Sequence, residues 1–303
     1  MRDKFIQTLT DLATKDDKIF LIVGDLGYGV VEDFARQFPN RFLNAGISEQ
    51  NMMGVAAGLA KSGFKVYVYS IANFPTMRCL EQIRNDVAFH DLDVTVVAIG
   101  AGFGYGTLGY SHFAVEDLAV LRALPNMRIF SPSDTYELEV ILEGITNVPG
   151  AKYLRLGKNG ERSLGNSLLG SPFEARRLKM GSELAVLSTG GISHEVMKAI
   201  QSLDDANRVR VAHFTVPSLR YETLKSIGLD SFRKILTVEE HCLDAGFGSF
   251  VLEYLESQQI LSQAKRLGIP RGFYYEVGDQ EYLRKLAGID EQSIVSAIEK
   301  FIG

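Results

Sequence analysis

The stretch NAGISEQNMMGVAAGLAK, residues 44–61, decides how this chain is interpreted. It joins the end of a short strand to a loop and to a helix that begins after Ser48, the expected N-cap. Glu49 falls in the first helical turn, where the helix dipole favours a carboxylate. Glycine and alanine fill much of the helix, which permits close packing against another helix or a subunit. On this stretch alone, Glu49 is equally well explained as an ordinary first-turn residue.

Strands and helices alternate on both sides of this stretch, which predicts an α/β fold with a parallel sheet wound on both sides. Continuous apolar runs such as IFLIV indicate strands buried on both faces. The first half is expected to contain strands at residues 19–23, 65–70, 94–99 and 128–130, and helices at residues 3–14, 30–38, 75–89, 116–124 and 135–147. Ser133 or Asp134 is expected to cap the last of these helices.

A polar, glycine-rich segment separates these elements from a second alternating set. The second set is expected to contain strands from residue 185 and at residues 209–214, 234–239 and 272–277, and helices at residues 193–202, 248–258 and 293–301. We therefore predict two doubly wound domains, at residues 1–160 and 181–303, joined by a linker at residues 161–180. A chain of 303 residues is long enough for two cores.

Composition narrows the classes of partner. The net charge of −5 gives no indication of binding to nucleic acid or to an anionic membrane. Cys79 and Cys242 show no metal-ligand spacing and are typical of reduced thiols in a cytoplasmic protein. The N-terminal residues predict a helix and a strand rather than a signal peptide, and no apolar run is long enough to cross a bilayer.

Two glycine-rich loops follow predicted strands, at residues 24–29 (GDLGYG) and 100–109 (GAGFGYGTLG). Such loops lie at the carboxyl ends of strands, where α/β folds bind ligands. The first loop does not match the dinucleotide fingerprint, and no acidic residue follows it at the required distance. The second loop permits close approach of a ligand to the backbone.

Four segments together resemble the transketolase family of thiamine-diphosphate enzymes. GISEQNMMGVAAGLA (residues 46–60) resembles the segment that carries the activating glutamate of that family. YSIANFPTMRCLEQI (69–83), GTLGYSHFAVEDLAVLRALPNM (106–127) and SPSD (131–134) agree with the family in order and spacing. The resemblance covers nearly the whole chain and is to the second half of a transketolase. It implies a pyrimidine-binding domain at residues 1–160 and a transketolase C-terminal domain at residues 181–303.

The resemblance implies thiamine diphosphate and Mg²⁺ as cofactors. It gives Glu49 the role of the carboxyl group that hydrogen-bonds the pyrimidine ring of the cofactor, and Phe74 the role of the aromatic side chain that stacks on that ring. Ile47 and Ile71 are expected to complete the contacts with the cofactor. Without the family match, Phe74 would be explained as a core residue.

Substrate contacts are also implied by the resemblance. His112, in GYSHFAVED, resembles the histidine of the family's G-P-T-H segment, which faces the substrate and handles hydroxyl or oxyanion groups. Histidine suits this task because it titrates near neutral pH. Arg155 resembles the arginine that binds a substrate phosphate in transketolases, and Arg78 resembles one in the deoxyxylulose phosphate synthase branch. Either arginine is alternatively an ordinary surface or interface charge.

Three positions depart from the family's substrate site. Leu108 replaces an aspartate that contacts a donor hydroxyl, Tyr110 replaces the proline of G-P-T-H, and Gly100 replaces a substrate histidine. The groups that activate the cofactor are therefore retained, while the surface that recognises the sugar is altered. The usual pair of pentose phosphate substrates is not implied by these residues.

The G-D-G motif that holds the diphosphate and its metal in the family is absent from the sequence. Gly24-Asp25 continues as Leu26, and Gly278-Asp279 continues as Gln280. The chain is therefore expected to hold half of a cofactor site and to need a partner subunit that carries the diphosphate-binding domain. The resemblance implies a homodimer of this chain within a heterotetramer that contains two copies of each subunit.

The sequence thus predicts the C-terminal subunit of a split transketolase, a cytoplasmic transferase of two-carbon ketol units between ketose and aldose (phosphate) substrates. The beta subunit of a 2-oxo acid dehydrogenase is an alternative, because it shares the two-domain plan. A non-catalytic protein that keeps the fold for assembly or regulation is a second alternative. EDLAVLRALPNM favours transketolase over the first, and the joint retention of Glu49, Phe74 and His112 argues against the second.

Overall fold

The computed structural model describes residues 1–158, 161–165 and 167–303. Its first sheet has six strands, all paired in parallel, in the order β2-β1-β3-β4-β6-β5. The strands are β1 (Ile19–Val23), β2 (Phe42–Asn44), β3 (Lys65–Ile71), β4 (Val94–Ile99), β5 (Arg128–Phe130) and β6 (Lys152–Leu156). The predicted parallel sheet of the first half is confirmed.

Helices cover both faces of this sheet. They are α1 (Arg2–Lys15), α2 (Glu32–Gln37), α3 (Glu49–Lys61), α4 (Leu80–Gln82), α5 (Asp117–Arg122) and α6 (Thr135–Ile145). One apolar cluster packs α3 and the following helices against the sheet, and another packs α1 and α6 against the opposite face. Both faces are therefore buried, which explains why these strands consist of continuous apolar residues.

The second sheet has five strands in the order β11-β10-β8-β9-β7. They are β7 (Arg176–Lys179), β8 (Leu184–Ser188), β9 (Val211–Thr215), β10 (Lys234–Cys242) and β11 (Gln263–Ile269). The helices are α7 (Ser193–Ser202), α8 (Asp205–Arg208), α9 (Tyr221–Lys225), α10 (Phe247–Ser257), α11 (Gln280–Leu286) and α12 (Glu291–Ile302). Only β7, at the edge, pairs antiparallel to its neighbour.

The strand predicted at residues 272–277 is wrong. That segment pairs with no strand of the described chain, and Phe273, Tyr275 and Val277 are exposed. The last strand is β11, whose sequence QAKRLGI carries two basic residues because it lies at the sheet edge. Edge strands often carry such charges, which discourage pairing with other chains.

Three further expectations need correction or confirmation. The helix predicted at residues 75–89 is a short 3₁₀ turn (Met77–Cys79), then α4, then a π-helical segment (Ile83–Ala88). Ser48 precedes α3, but its hydroxyl donates to the Ala45 carbonyl (2.7 Å) and does not cap the helix. Asp134, in contrast, caps α6 by accepting from the Glu137 N–H (2.8 Å), as expected.

The predicted linker is described only in part, because residue 166 lies outside the described residues. Strand β7 falls within the predicted linker and belongs to the second sheet. The exact domain limits stay a prediction. No helix of the described residues has the length and apolar character needed to span a membrane.

Candidate cofactor and substrate site

Glu49 is a buried acidic side chain at the start of α3, immediately after the carboxyl end of β2. It is 6% exposed. Its Oε1 accepts a hydrogen bond from Nη1 of Arg78 at 2.9 Å, which forms an ion pair. A buried carboxylate needs such a partner, because removing a charge from water is costly. The structure thus places a carboxyl group in the first turn of α3, where the sequence predicted one.

Phe74 lies in the turn after β3, close to Glu49. The guanidinium carbon of Arg78 lies 3.9 Å from the centre of the Phe74 ring, so the flat cation lies over the face of the ring. Arg78 therefore contacts both Glu49 and Phe74. These two side chains can hold a flat group that offers an N–H at its edge.

His112 lies beside Phe74, in a 3₁₀ turn (Tyr110–His112) that follows β4. The two ring centres are 5.2 Å apart, and the rings meet edge to face. Nδ1 of His112 is 3.0 Å from the Ser111 hydroxyl. Partial burial, with a smaller contribution from the positive charge of Arg78, lowers the pKa of His112 below its ordinary value. The imidazole is therefore neutral near pH 7 and able to accept a proton.

The loops that carry these side chains follow parallel strands. Glu49 follows β2, Phe74 follows β3 and His112 follows β4, so all three meet at the carboxyl edge of the first sheet. This edge is where open α/β sheets bind ligands. The Asn73 amide donates to the Ser111 carbonyl (3.2 Å), which ties the second loop to the third.

An open cleft of about 460 Å³ begins at Glu49 and Arg78. Ile47 lines this cleft and is 76% exposed, which leaves its side chain available for contact. Ile71, at the end of β3, is half-buried. Neither isoleucine is tested as a cofactor contact, and their roles stay predictions.

Arg155 does not join this group. It is 2% exposed, and its guanidinium forms an ion pair with Asp117 (Nε to Oδ2, 2.7 Å). It also donates to the carbonyls of Ala114 (2.7 Å) and Glu240 (3.1 Å), the latter in the second sheet. A substrate phosphate would have to displace these buried contacts. The position therefore fits the alternative role, a charge at the interface between the two domains.

Lys158 is a cation that the sequence analysis missed. It follows the carboxyl end of β6 and is half-buried, and its ammonium lies 4.7 Å from the centre of the Tyr105 ring. The Tyr105 ring lies 6.5 Å from that of His112. Recognition of β6 would have indicated this residue, because it comes just after the end of that strand.

The three departures from the family have structural counterparts. A Cβ atom at Gly100 would lie 2.1 Å from the Tyr105 ring, so Tyr105 fills the space that a side chain at position 100 would need. Leu108 is exposed, and the Tyr110 hydroxyl donates to Glu116 (2.8 Å). The surface beside His112 is consequently more apolar than a sugar-binding surface built from aspartate and histidine.

The second domain contacts the loop that carries His112. Phe273 packs edge to face on Tyr110, with 5.3 Å between ring centres. The Gly278 N–H donates to the Gly106 carbonyl (3.4 Å). We call residues 273–278 the C-terminal strap. Within the described residues, no group of three or more histidine, cysteine or acidic side chains is placed to hold a metal ion.

Two family models match the chain: "Transketolase, pyrimidine binding domain" over residues 1–160 and "Transketolase, C-terminal domain" over residues 174–294. A transketolase C-terminal section from Methanocaldococcus jannaschii is 32% identical, with 98% of this chain and 95% of that protein covered. One subunit of an apulose-4-phosphate transketolase from Actinobacillus succinogenes is 30% identical, covering 92% and 90%. A solved split-gene transketolase, an inactive beta4 tetramer, is 30% identical over 99% and 97% of the two chains, with a TM-score of 0.86.

Proposed function

Because this chain belongs to the transketolase family and corresponds to its C-terminal section, we propose that it is one of the two subunits of a divided transferase. The complete enzyme moves a two-carbon ketol unit from a ketose to an aldose or aldose phosphate. The observation that supports this proposal is the group formed by Glu49, Phe74 and His112 at one edge of the first sheet.

Glu49 and Phe74 fit the aminopyrimidine ring of thiamine diphosphate. The flat guanidinium of Arg78 lies on Phe74 while it donates an N–H to Glu49. An aminopyrimidine is likewise flat and has polar atoms at its edge. When bound, thiamine diphosphate supplies the carbon nucleophile that takes up and releases the two-carbon unit. Glu49 would hold the pyrimidine ring by a hydrogen bond, and Phe74 would hold its face.

His112 would act on the substrate. Its pKa is lowered by burial and by Arg78, so the neutral ring accepts a proton from a substrate hydroxyl group and returns it later. Lys158 and Arg78 are the cations nearest to this position that are open to solvent in part, and we assign them to an anionic group of the substrate. Arg155 is assigned to domain packing instead.

The other half of the cofactor site belongs to a partner in this proposal. The sequence lacks G-D-G, so the diphosphate and Mg²⁺ would be held by an N-terminal subunit that carries this motif. Two copies of each of the two chains would form a cytoplasmic heterotetramer. The relatives named as a C-terminal section and as one subunit of a transketolase support a divided enzyme.

Replacement of Glu49 tests the proposal. We expect Glu49→Ala to lower transferase activity of the assembled enzyme about 100-fold or more, since a hydrogen bond needed for proton transfer is lost. Calorimetric titration should show that thiamine diphosphate with Mg²⁺ binds only after the N-terminal subunit is added, and weakly or not at all in Glu49→Ala.

Glu81→Ala is the matched control, because Glu81 is an exposed glutamate near the same cleft. It should bind the cofactor as the wild type does. Tight binding of the cofactor by this chain alone would contradict the half site. Full activity of Glu49→Ala would contradict the role of Glu49.

A further inference from the structure

Arg78 lies between the two side chains that the proposed function assigns to the cofactor's pyrimidine ring. Its Nη1 donates to Glu49 (2.9 Å), and its guanidinium carbon lies 3.9 Å from the centre of the Phe74 ring. A guanidinium is planar, stacks on aromatic faces and donates N–H groups from its edge. A pyrimidine ring in this place would make the same two contacts. Arg78 and the ring therefore cannot occupy the place together.

Arg78 also has a role when no cofactor is bound. The Glu49 carboxylate is buried, and a buried charge without a partner destabilises the folded state. The guanidinium of Arg78 is the cation that pairs with it. The ion pair therefore stabilises the folded chain until the cofactor arrives.

Arg78 is nevertheless free to move. Its side chain is 48% exposed, and Glu49 is its only hydrogen-bond acceptor among the described residues. A half-exposed ion pair and a cation–π contact each contribute little to stability in water. The arginine can therefore swing into the open cleft beside Ile47 without disturbing the core.

We propose, on the basis of the function proposed above, that Arg78 competes with the cofactor for Glu49 and Phe74. In the cofactor-free chain the guanidinium closes the half site and neutralises Glu49. Cofactor binding with the N-terminal subunit displaces it. Part of the binding free energy is spent on this displacement, so Arg78 sets the affinity of the enzyme for its cofactor.

Titration of thiamine diphosphate with Mg²⁺ into the assembled enzyme tests this competition. We expect Arg78→Met to bind the cofactor about tenfold more tightly than the wild type, because a larger fraction of the site is open. Arg78→Lys should show a smaller gain, since an ammonium keeps the charge but does not stack as a plane. Arg84→Met, a change at an exposed arginine in the π-helical segment, should bind as the wild type does.

Urea unfolding of the cofactor-free chain provides a second measurement. Arg78→Met should unfold at lower urea than the wild type, while Arg84→Met should not. Tighter binding combined with lower stability is the signature of a competitor, because a structural defect weakens both. Equal or weaker cofactor binding in Arg78→Met, with binding lost in Glu49→Ala, overturns this inference alone. Unchanged binding in Glu49→Ala overturns the proposed function itself.

Discussion

His213 is a buried histidine in β9 that should make the stability of the chain depend on pH. Burial lowers the pKa of His213 to about 3, and the ring lies 2.8 Å from the Ser188 hydroxyl. The unfolded chain binds a proton near pH 6.5, so stability is present above that pH and is lost as the pH falls toward 3. We expect the free energy of unfolding to fall by about 2 kcal/mol between pH 7 and pH 5 from this residue.

Urea denaturation of His213→Gln at the two pH values checks this. The glutamine variant should lose this part of the pH dependence, whereas His90→Gln, at an exposed histidine, should keep it. His241 adds a change of the same sign, since burial lowers the pKa of His241 to about 4. An unchanged difference between pH 7 and pH 5 in His213→Gln would contradict the argument.

Single residues also show where sequence-based prediction succeeds and where it fails. Glu49 and His112 were found from local motifs, and the strand order then brings them together. Arg155 was assigned to substrate because β6 was not recognised: Lys152 and Arg155 interrupt its apolar run, yet both are buried in ion pairs. With β6 recognised, Lys158 becomes the cation beyond the end of the strand.

The C-terminal strap is the element that should hold the His112 loop in place. Phe273 packs on Tyr110, two residues before His112. An edge-to-face aromatic pair contributes about 0.5–1.5 kcal/mol. We therefore expect Phe273→Ala to speed amide hydrogen exchange of residues 106–113 by about three- to tenfold, because the loop opens more often.

Tyr275→Ala is the control for this measurement. Tyr275 belongs to the same strap but is 86% exposed, so its removal should leave exchange of the loop unchanged. Equal exchange rates in the wild type and Phe273→Ala would show that the strap does not restrain the loop. In the active enzyme, a loosened loop should raise KM for the carbonyl substrate more than it lowers kcat.

The same strap shows why elements are not always predictable. Its sequence GFYYEV alternates in a manner typical of a strand, but it packs on a loop and pairs with no strand of the described chain. Strand β11 has a polar sequence because it forms an exposed edge. Local patterns identify strands that are buried on both faces and fail where tertiary position decides exposure.

At the scale of the whole molecule, the alternation of elements predicted two wound sheets, but not the contacts that join them. Those contacts are buried and polar. Glu240 of β10 accepts from the Phe103 N–H (2.8 Å) and from Arg284 (2.6 Å). Arg155 of β6 donates to the Glu240 carbonyl (3.1 Å). Such pairs join residues far apart in sequence, so no local pattern reveals them.

Arg155 should therefore be important for the stability of the two-domain unit and not for substrate affinity. We expect Arg155→Met to lower the free energy of unfolding by about 3–5 kcal/mol, because Asp117 is left as a buried charge without its guanidinium. Urea denaturation measures this loss. KM for a phosphorylated substrate should remain near the wild-type value at temperatures where the variant is folded.

A second change at Asp117 separates the two explanations. If the ion pair is structural, Asp117→Asn combined with Arg155→Met should cost less than the sum of the single changes, because neither partner is then left as an unpaired buried charge. If Arg155 binds substrate phosphate, Arg155→Met should instead raise KM with little loss of stability. Lys158→Met provides the comparison, because Lys158 is the half-buried cation beyond β6: it should raise KM while the free energy of unfolding stays close to that of the wild type.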